Sequence, residues 1–544
     1  GNQIRELPSL TRNPYDFVTL SGNVAPTDVN TTNFTSTRGA GFAINGQRPS
    51  STNILLDGGE NVNTFDTTVG QSVPLDSVQE FRVITSNFSA EYGRAAGGII
   101  NVATRAGTND FHGTLYEFNR VARFASNDFN NNANGVPKGN FTRNQFGYSV
   151  GGPVVRDKFF FFNSTEWTRV RSREQVINYV PTAQLFAASS TATQAFFNAF
   201  PLGTPISGNV LSVSDVIARA GLTGTSAFTS LPGTLPAFGQ VLYNIPSDVG
   251  AGLPQNTYQI VSRFDWNVSD KTQFYGRHAL ESQNFFVGTN SASPYQGFNT
   301  GVEVFNNNIL LSLTHTFSPK LVSQTKVVYN RLNQQQPLGA QTPSPTLYLR
   351  PQVTRLSNFL VALPGYLPFN PGSAIPFGGP QNLLQVYQDF NTTLGDHQWR
   401  YGGTFIHIQD NRTFGAFQTA VATLGSNLGA ALGNLVTGQL AQFQSAIDPR
   451  GAFPGQTVTL PVGPPNFSRS NRYNEFALYI QDNWRARPNL TFNLGVRYDY
   501  FGVQHNKNEA LDSNFYFGSG STLAERVRNG SVQLAQSSPV GGLW

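Results

Sequence analysis

The chain has 544 residues, with 36 Lys and Arg against 31 Asp and Glu, a net charge of +5, and neither Cys nor Met. The missing cysteines exclude disulfide frameworks, thiolate metal sites and cysteine nucleophiles, and a basicity this weak, with no Lys/Arg block, gives no ground for a nucleic-acid partner. Charged residues are only 12%, against about 25% in a typical soluble protein, while aromatics reach 12% with 44 Phe and 19 Tyr, a balance suited to a surface that faces something other than water.

The first hundred residues mix short apolar runs with turns. Asn13 before Pro14 caps a helical turn over Tyr15 to Leu20. Ile54-Leu55-Leu56-Asp57-Gly58-Gly59 reads as a buried strand entering a turn, Val78 to Ile84 as an alternating strand, and Ile99 to Thr104 as another. We expect a small α+β domain over residues 1–106. The segment from Ser89 to Gly113, rich in glycine around Gly93, Gly97 and Gly98, then leads directly into a different pattern.

From Phe111 onward the chain alternates apolar and polar residues at period two. In the clearest case Leu490, Phe492, Leu494, Val496, Tyr498 and Tyr500 share one face, opposite Thr491, Asn493, Gly495, Arg497 and Asp499. Eleven strands are expected, at 111–118, 145–152, 158–168, 257–268, 272–283, 308–317, 321–333, 384–394, 397–409, 473–484 and 489–502. Each is near the ~10 residues that a tilted strand needs to cross a bilayer. Trp266, Phe317, Tyr329, Trp484, Tyr498 and Tyr500 gather near strand ends, as interfacial girdles do. The links alternate between short turns and long loops at 119–144, 169–256, 284–307, 334–383 and 410–472. Short turns at one rim and long loops at the other are the signature of an outer-membrane barrel. The charge-free stretch from Thr413 to Ile447 is too interrupted by Gly, Ser, Asn and Gln for a spanning helix, and reads as a loop helix. Eleven is odd, whereas bacterial single-chain barrels have even strand numbers. With Gly1 at the start and Trp544 at the end, the chain is expected to be an internal piece of a longer protein.

Several segments together resemble the TonB-dependent outer-membrane receptors, in their large Oar-like branch, whose chains begin with a carboxypeptidase-regulatory-like domain. They are Leu7 to Asn13, Asn45-Gly46-Gln47-Arg48-Pro49, Asn53 to Gly58, Val78 to Val83 followed by Ala90-Glu91-Tyr92-Gly93-Arg94, and Thr104 to Asn109 with Phe111-His112-Gly113. Tyr479 to Trp484 with Asn489 to Thr491 and Leu494 to Tyr498 resembles the family's mid-barrel hairpin. The resemblance implies a mostly-β fold: a plug domain (1–106) inside a transmembrane antiparallel barrel (107–544), with eleven of about 22 strands present. It implies a receptor in the outer membrane of a Gram-negative-type bacterium. Such a receptor binds an extracellular solute (a glycan, peptide or metal chelate) and passes it to the periplasm by energy-coupled plug movement. The implied partners are outer-membrane lipid or lipopolysaccharide and a TonB-type coupling protein, reached through an N-terminal motif this chain does not show. An adhesin or assembly protein on the same scaffold, or a soluble secreted β-rich binding protein, are the alternatives.

Catalysis has little support: the six histidines show no metal spacing, no Gly-x-Ser-x-Gly elbow is present, and the Gly93 to Gly98 stretch lacks a phosphate-loop lysine. No enzyme activity, cofactor or metal is expected. By resemblance, substrate contacts at the plug apex fall to Gln47, Arg48, Asn53, Glu60, Asn61, Asn63 and Asp66. The charges near the plug's end, Glu80, Arg82, Glu91, Arg94 and Arg105, either seat the plug or form a latch that a periplasmic motor releases.

Overall fold

The computed structural model describes residues 7, 9, 11–26, 41–65, 67–127, 129–133, 135–246, 255–336, 346–366, 377–414, 420–445, 468–508 and 513–534. A four-stranded sheet forms the centre, from β1 (Thr52–Leu56), β2 (Gly59–Glu60), β3 (Val78–Ile84) and β4 (Gly98–Thr104), in the order β2-β1-β4-β3. β1 and β4 run parallel, and β3 lies antiparallel to β4. Parallel pairing buries both faces of β1, which is why its end, Ile54 to Leu56, reads as a continuous apolar run rather than an alternation. Pro14–Leu20 is a 3-10 helix whose first turn is capped by Asn13, accepting from the Tyr15 N–H at 3.1 Å. Tyr15, Val18, Ile44, Ile54, Leu56, Ile100 and Val102 form the core, and Val261 and Ala279 from the surrounding wall complete it.

That wall is one antiparallel ladder of eleven long strands. They are β5 (His112–Val121), β6 (Asn140–Val155), β7 (Phe159–Pro181), β8 (Gln255–Ser269), β9 (Thr272–Phe285), β10 (Val302–Ser318), β11 (Leu321–Gln336), β12 (Phe377–Leu394), β13 (His397–Asp410), β14 (Asn471–Arg487) and β15 (Leu490–Phe501). All eleven strands read from the sequence are present, and each sends a side chain or ring against the central sheet or its loops. Among the described residues no register joins β15 back to β5, and these two strands are exposed along most of their length. Among the described residues the wall is therefore a curled sheet whose first and last strands are not paired to each other.

The strands are longer than expected, up to 23 residues in β7. Above the bilayer both faces become polar or pack on loops, so alternation fades before pairing ends; β7 continues 13 residues beyond its expected end at 168. The long loops are correspondingly shorter, and they are not bare connections. The link from β7 to β8 carries helices Ala183–Ala187, Thr191–Ala199 and Val213–Ala220 and strands Ile206–Ser212 and Pro236–Ile245, the latter paired to the upper end of β7. Loop segments far apart in sequence share one hydrophobic core, built on Phe228, Phe238, Phe298, Tyr366, Leu424 and Leu432 among others. The charge-free stretch contributes helix Leu428–Thr437 to this cap. No helix among the described residues is long and apolar enough to cross a membrane.

Candidate functional site

The contact between plug and wall is polar and charged, and it begins with a tight turn. Asp57 and Gly58, both at positive φ (54° and 79°), form the two-residue loop joining β1 to β2; such loops favour Asp-Gly because both positions are left-handed. The turn aims Asp57 at the wall. Its carboxylate accepts from the Thr104 N–H (2.7 Å) and the Thr104 hydroxyl (2.9 Å), and from Arg277 Nε on β9 (2.9 Å). The Arg277 side chain is wholly buried, and its other N–H groups donate to the Asn308 carbonyl (3.0 Å), the Asn308 side chain (2.5 Å) and the Leu56 carbonyl (3.3 Å).

A second charged contact lies across the sheet. Arg94, at φ 57°, sits between Glu60 of the plug (3.8 Å) and Glu475 of β14, with which it forms a short ion pair. Burial pushes the Glu60 carboxyl above the usual carboxylate range, opposed by Arg94 and by the Asn53 amide. Burial also works against the Arg94 guanidinium, but Glu60 and Glu475 outweigh it and hold its pKa up. Beside it Arg497 of β15 donates to the carbonyls of Glu91 (3.0 Å) and Ala90 (3.3 Å). A Cβ on Gly93 would stand 2.3 Å from Arg497 Nε, so a larger residue there would have to push this guanidinium aside. A third contact seats the N-terminal end: Arg12 pairs with Asp76 (2.5 Å) and with Glu166 of β7 (3.1 Å), and its guanidinium lies 4.3–4.5 Å from the ring centres of Phe118 and Tyr116.

Between the first two contacts lies a cavity of about 330 Å³. Its acids are Asp57, Glu60, Glu91 and Asp389, and its bases are Arg94, Arg263, Lys326 and Arg497, with Asn53, Asn101, Gln324, Gln385 and Tyr387 interspersed. Acids and bases are equal in number, and the cavity is roomy and polar enough to hold several waters. On the opposite side the plug meets β8 and β9 through its apolar core, at Val261 and Ala279. The plug thus meets β8 and β9 through apolar packing beside the charged contacts of Asp57 with Arg277 and Arg263, and meets β11 to β15 mainly through the charged and polar lining of the cavity.

The residues read from the sequence divide between these places. Arg94 and Glu91 reach the wall, Glu91 through Arg400 at 3.5 Å. Glu80 and Arg82 do not; they pair with each other at 2.7 Å on the solvent-facing side of β3. The Arg105 N–H donates to the Ser77 carbonyl (2.8 Å), and Arg105 lines a gap near His112 and Ser149. Gln47 and Arg48 are exposed and Asn63 is half-buried. Asn53, Glu60 and Asn61 are buried inside the plug: Asn53 donates to Gly93 O (3.1 Å), and Asn61 bonds the backbone of Gln71 (2.8 and 3.0 Å). Asp66 lies outside the described residues. Sequence reasoning missed Arg12, Asp57, Arg263, Arg277, Lys326, Glu475 and Arg497 as a set. The available signal was a charge on the inward face of an alternating strand, as at Arg277 and Lys326. Among the described residues no cluster of three or more His, Asp or Glu side chains could hold a metal.

A plug held by charges within a curled wall of membrane-length strands defines the class: a plugged outer-membrane barrel. The family model described as "Outer membrane beta barrel domain" matches residues 103–542, and the chain belongs to that family. Its place is therefore the outer membrane of a Gram-negative-type cell. Over 129 residues it is 30% identical to the TonB-dependent transporter Oar of Myxococcus xanthus, covering 22% of this chain and 12% of that protein. Over 141 residues it is 28% identical to a probable TonB-dependent siderophore receptor, PirA of Acinetobacter baumannii, covering 23% and 17%. The outer-membrane transporter YddB of Escherichia coli superposes with a TM-score of 0.52 at 13% identity, covering 93% of this chain and 56% of that structure. The fold is that of the TonB-dependent receptors, and these relatives are receptors and transporters, not enzymes. The chain spans little more than half the length of the solved transporter.

Proposed function

We propose that the chain forms the plug and part of the barrel of a TonB-dependent transporter. It captures an extracellular solute beneath the cap and passes it inward when a periplasmic coupling protein shifts the plug. The observation that carries this reading is the asymmetric seat of the plug. Apolar packing and the buried Asp57–Arg277 pair hold it on β8 and β9, while the side facing β11 to β15 is a cavity lined by charged and polar side chains and closed by Arg94 between Glu60 and Glu475. Ion pairs in a wet site exchange partners more readily than an apolar core opens, so movement is favoured on that side. On this reading residues 1–106 form the plug and 107–544 the barrel part. The exposed Gln47 and Arg48 and the half-buried Asn63 face incoming solute, and Asn53, Glu60 and Asn61 set the shape of the apex. Glu91 and Arg94 belong to the latch, whereas Glu80, Arg82 and Arg105 lie outside it. A ferric siderophore, the class named for PirA, is one solute candidate; oligosaccharides and peptides are the others.

The test is uptake of a labelled panel of ferric chelates, oligosaccharides and peptides by cells lacking and carrying the full-length protein, with and without a protonophore. Accumulation of one class that requires both the protein and the proton gradient is expected. Protein-dependent surface binding that the protonophore leaves unchanged, with no accumulation of any class, would favour an adhesin.

A further inference from the structure

The outer face of β7 carries a ladder of three arginines. Glu166 points inward, its carboxylate bonded to Arg12 of the plug, so Trp167 and the residues alternating with it point away from the plug. Trp167 stands in one rank with Phe146 of β6 and Tyr258 of β8, and stacks on Phe146 at 5.6 Å. Phe159, paired with Trp266, begins the same face at the short-turn rim. The eight residues between Phe159 and Trp167 span about 26 Å along the strand and about 20 Å along the membrane normal at the usual tilt. That is close to the ~25 Å apolar band between two aromatic girdles. Trp167 therefore marks the outer girdle. Directly above it on the same face come Arg169, Arg171 and Arg173, about 6.6 Å from one to the next.

These guanidiniums have only neutral partners among the described residues. Arg169 Nη1 donates to the carbonyls of Thr168 and Thr257 (both 2.9 Å). Arg171 Nη1 donates to Val170 O (2.8 Å) and Asn256 Oδ1 (3.2 Å), and Arg173 Nε to Asn244 Oδ1 (2.6 Å). Each guanidinium has five N–H donors, and among the described residues each keeps several free and no carboxylate neutralises the set. Glu117, the outward carboxylate of β5, stands in the Trp167 rank, two strands away. Arg171 and Arg173 are exposed.

An outward row of uncompensated arginines immediately above the outer girdle lies where the headgroups of the outer leaflet begin. We propose that Arg169, Arg171 and Arg173 bind the phosphate groups of a phosphorylated glycolipid of that leaflet, its acyl chains lying along the outward face below Trp167, where Phe161 of β7 and Ile260 and Phe264 of β8 flank the mutually hydrogen-bonded Asn163 and Ser262. Guanidinium forks match phosphate oxygens bidentately, which an ammonium does not. The inference rests on the outer-membrane placement and is independent of transport.

The test uses the purified full-length protein, with diphosphoryl lipid A and dephosphorylated lipid A as probes and retention measured by native mass spectrometry. Heat-shifted gel mobility serves as the check that the barrel is folded. The R169Q/R171Q/R173Q variant should retain diphosphoryl lipid A about tenfold less than the parent or weaker. Arg485→Gln, at the opposite rim, should leave retention unchanged, and dephosphorylated lipid A should bind parent and variant equally weakly. Undiminished retention by the folded triple variant, or equal retention of the two lipids by the parent, overturns the proposal.

Discussion

Replacing Arg277 with Met is expected to unseat the plug. Its guanidinium neutralises Asp57 and satisfies Asn308 and Leu56, all inside the contact between plug and β9. The methionine fills most of the volume but leaves Asp57 buried with Thr104 as its close donor and Arg263, 4.0 Å away, as a more distant cation. Breaking a buried pair by removing one partner costs about 3–5 kcal/mol, because a charge is left uncompensated. The wall has its own ladder of backbone hydrogen bonds and should survive. The expected result is selective: trypsin cuts the plug of R277M in native membranes while the barrel remains folded by gel mobility. Asp57→Asn combined with R277M should recover part of the protection, since an amide in place of the carboxylate removes the stranded charge. Equal protease resistance in parent and R277M would mean that the pair does not hold the plug.

The second large effect is expected at Arg94. Arg94→Glu sets a third carboxylate between Glu60 and Glu475, replacing attraction with repulsion at the closing contact of the wet cavity. Energised uptake should fall at least about tenfold, a loss of 1.4 kcal/mol or more in the coupled step, and the R94E/E475R combination should recover a measurable part of it. Glu80→Ala is the internal control. Its partner Arg82 is on the same strand and both side chains are more than half exposed, so such a pair contributes little and uptake should be unchanged. Unaltered uptake by a folded R94E protein would show that Arg94 only packs the plug.

The contrast between Arg94 and Glu80 shows where the sequence was readable. Period two gives the face on which a strand residue stands, so all eleven wall strands and the three principal plug strands were legible. It does not say what covers that face. Glu80 and Arg82 lie on an alternating strand beside the glycine-rich junction, as Glu91 and Arg94 nearly do, yet only the latter pair meets a wall. Asp57 was visible as part of a turn, but its partner Arg277 is 220 residues away, and nothing local links them. The cap was illegible for the same reason. Phe238, Phe298, Tyr366 and Leu432 come from four separate loops, and each loop alone lacks the periodicity that would mark it as core.

The most direct test of energy-coupled plug movement uses the absence of cysteine from these 544 residues, any cysteine elsewhere in the full-length protein being replaced by serine. A Cβ placed on Gly495 of β15 would lie 3.1 Å from Ala90 Cβ, within a few tenths of an ångström of disulfide geometry. Ala90→Cys with Gly495→Cys therefore ties the side of the plug facing β11 to β15 to the wall through a single bond. Uptake of the solute found in the panel should be lost when this pair is oxidised and should return on reduction, with surface binding unchanged throughout. Full energised uptake through the oxidised, cross-linked protein would contradict the account.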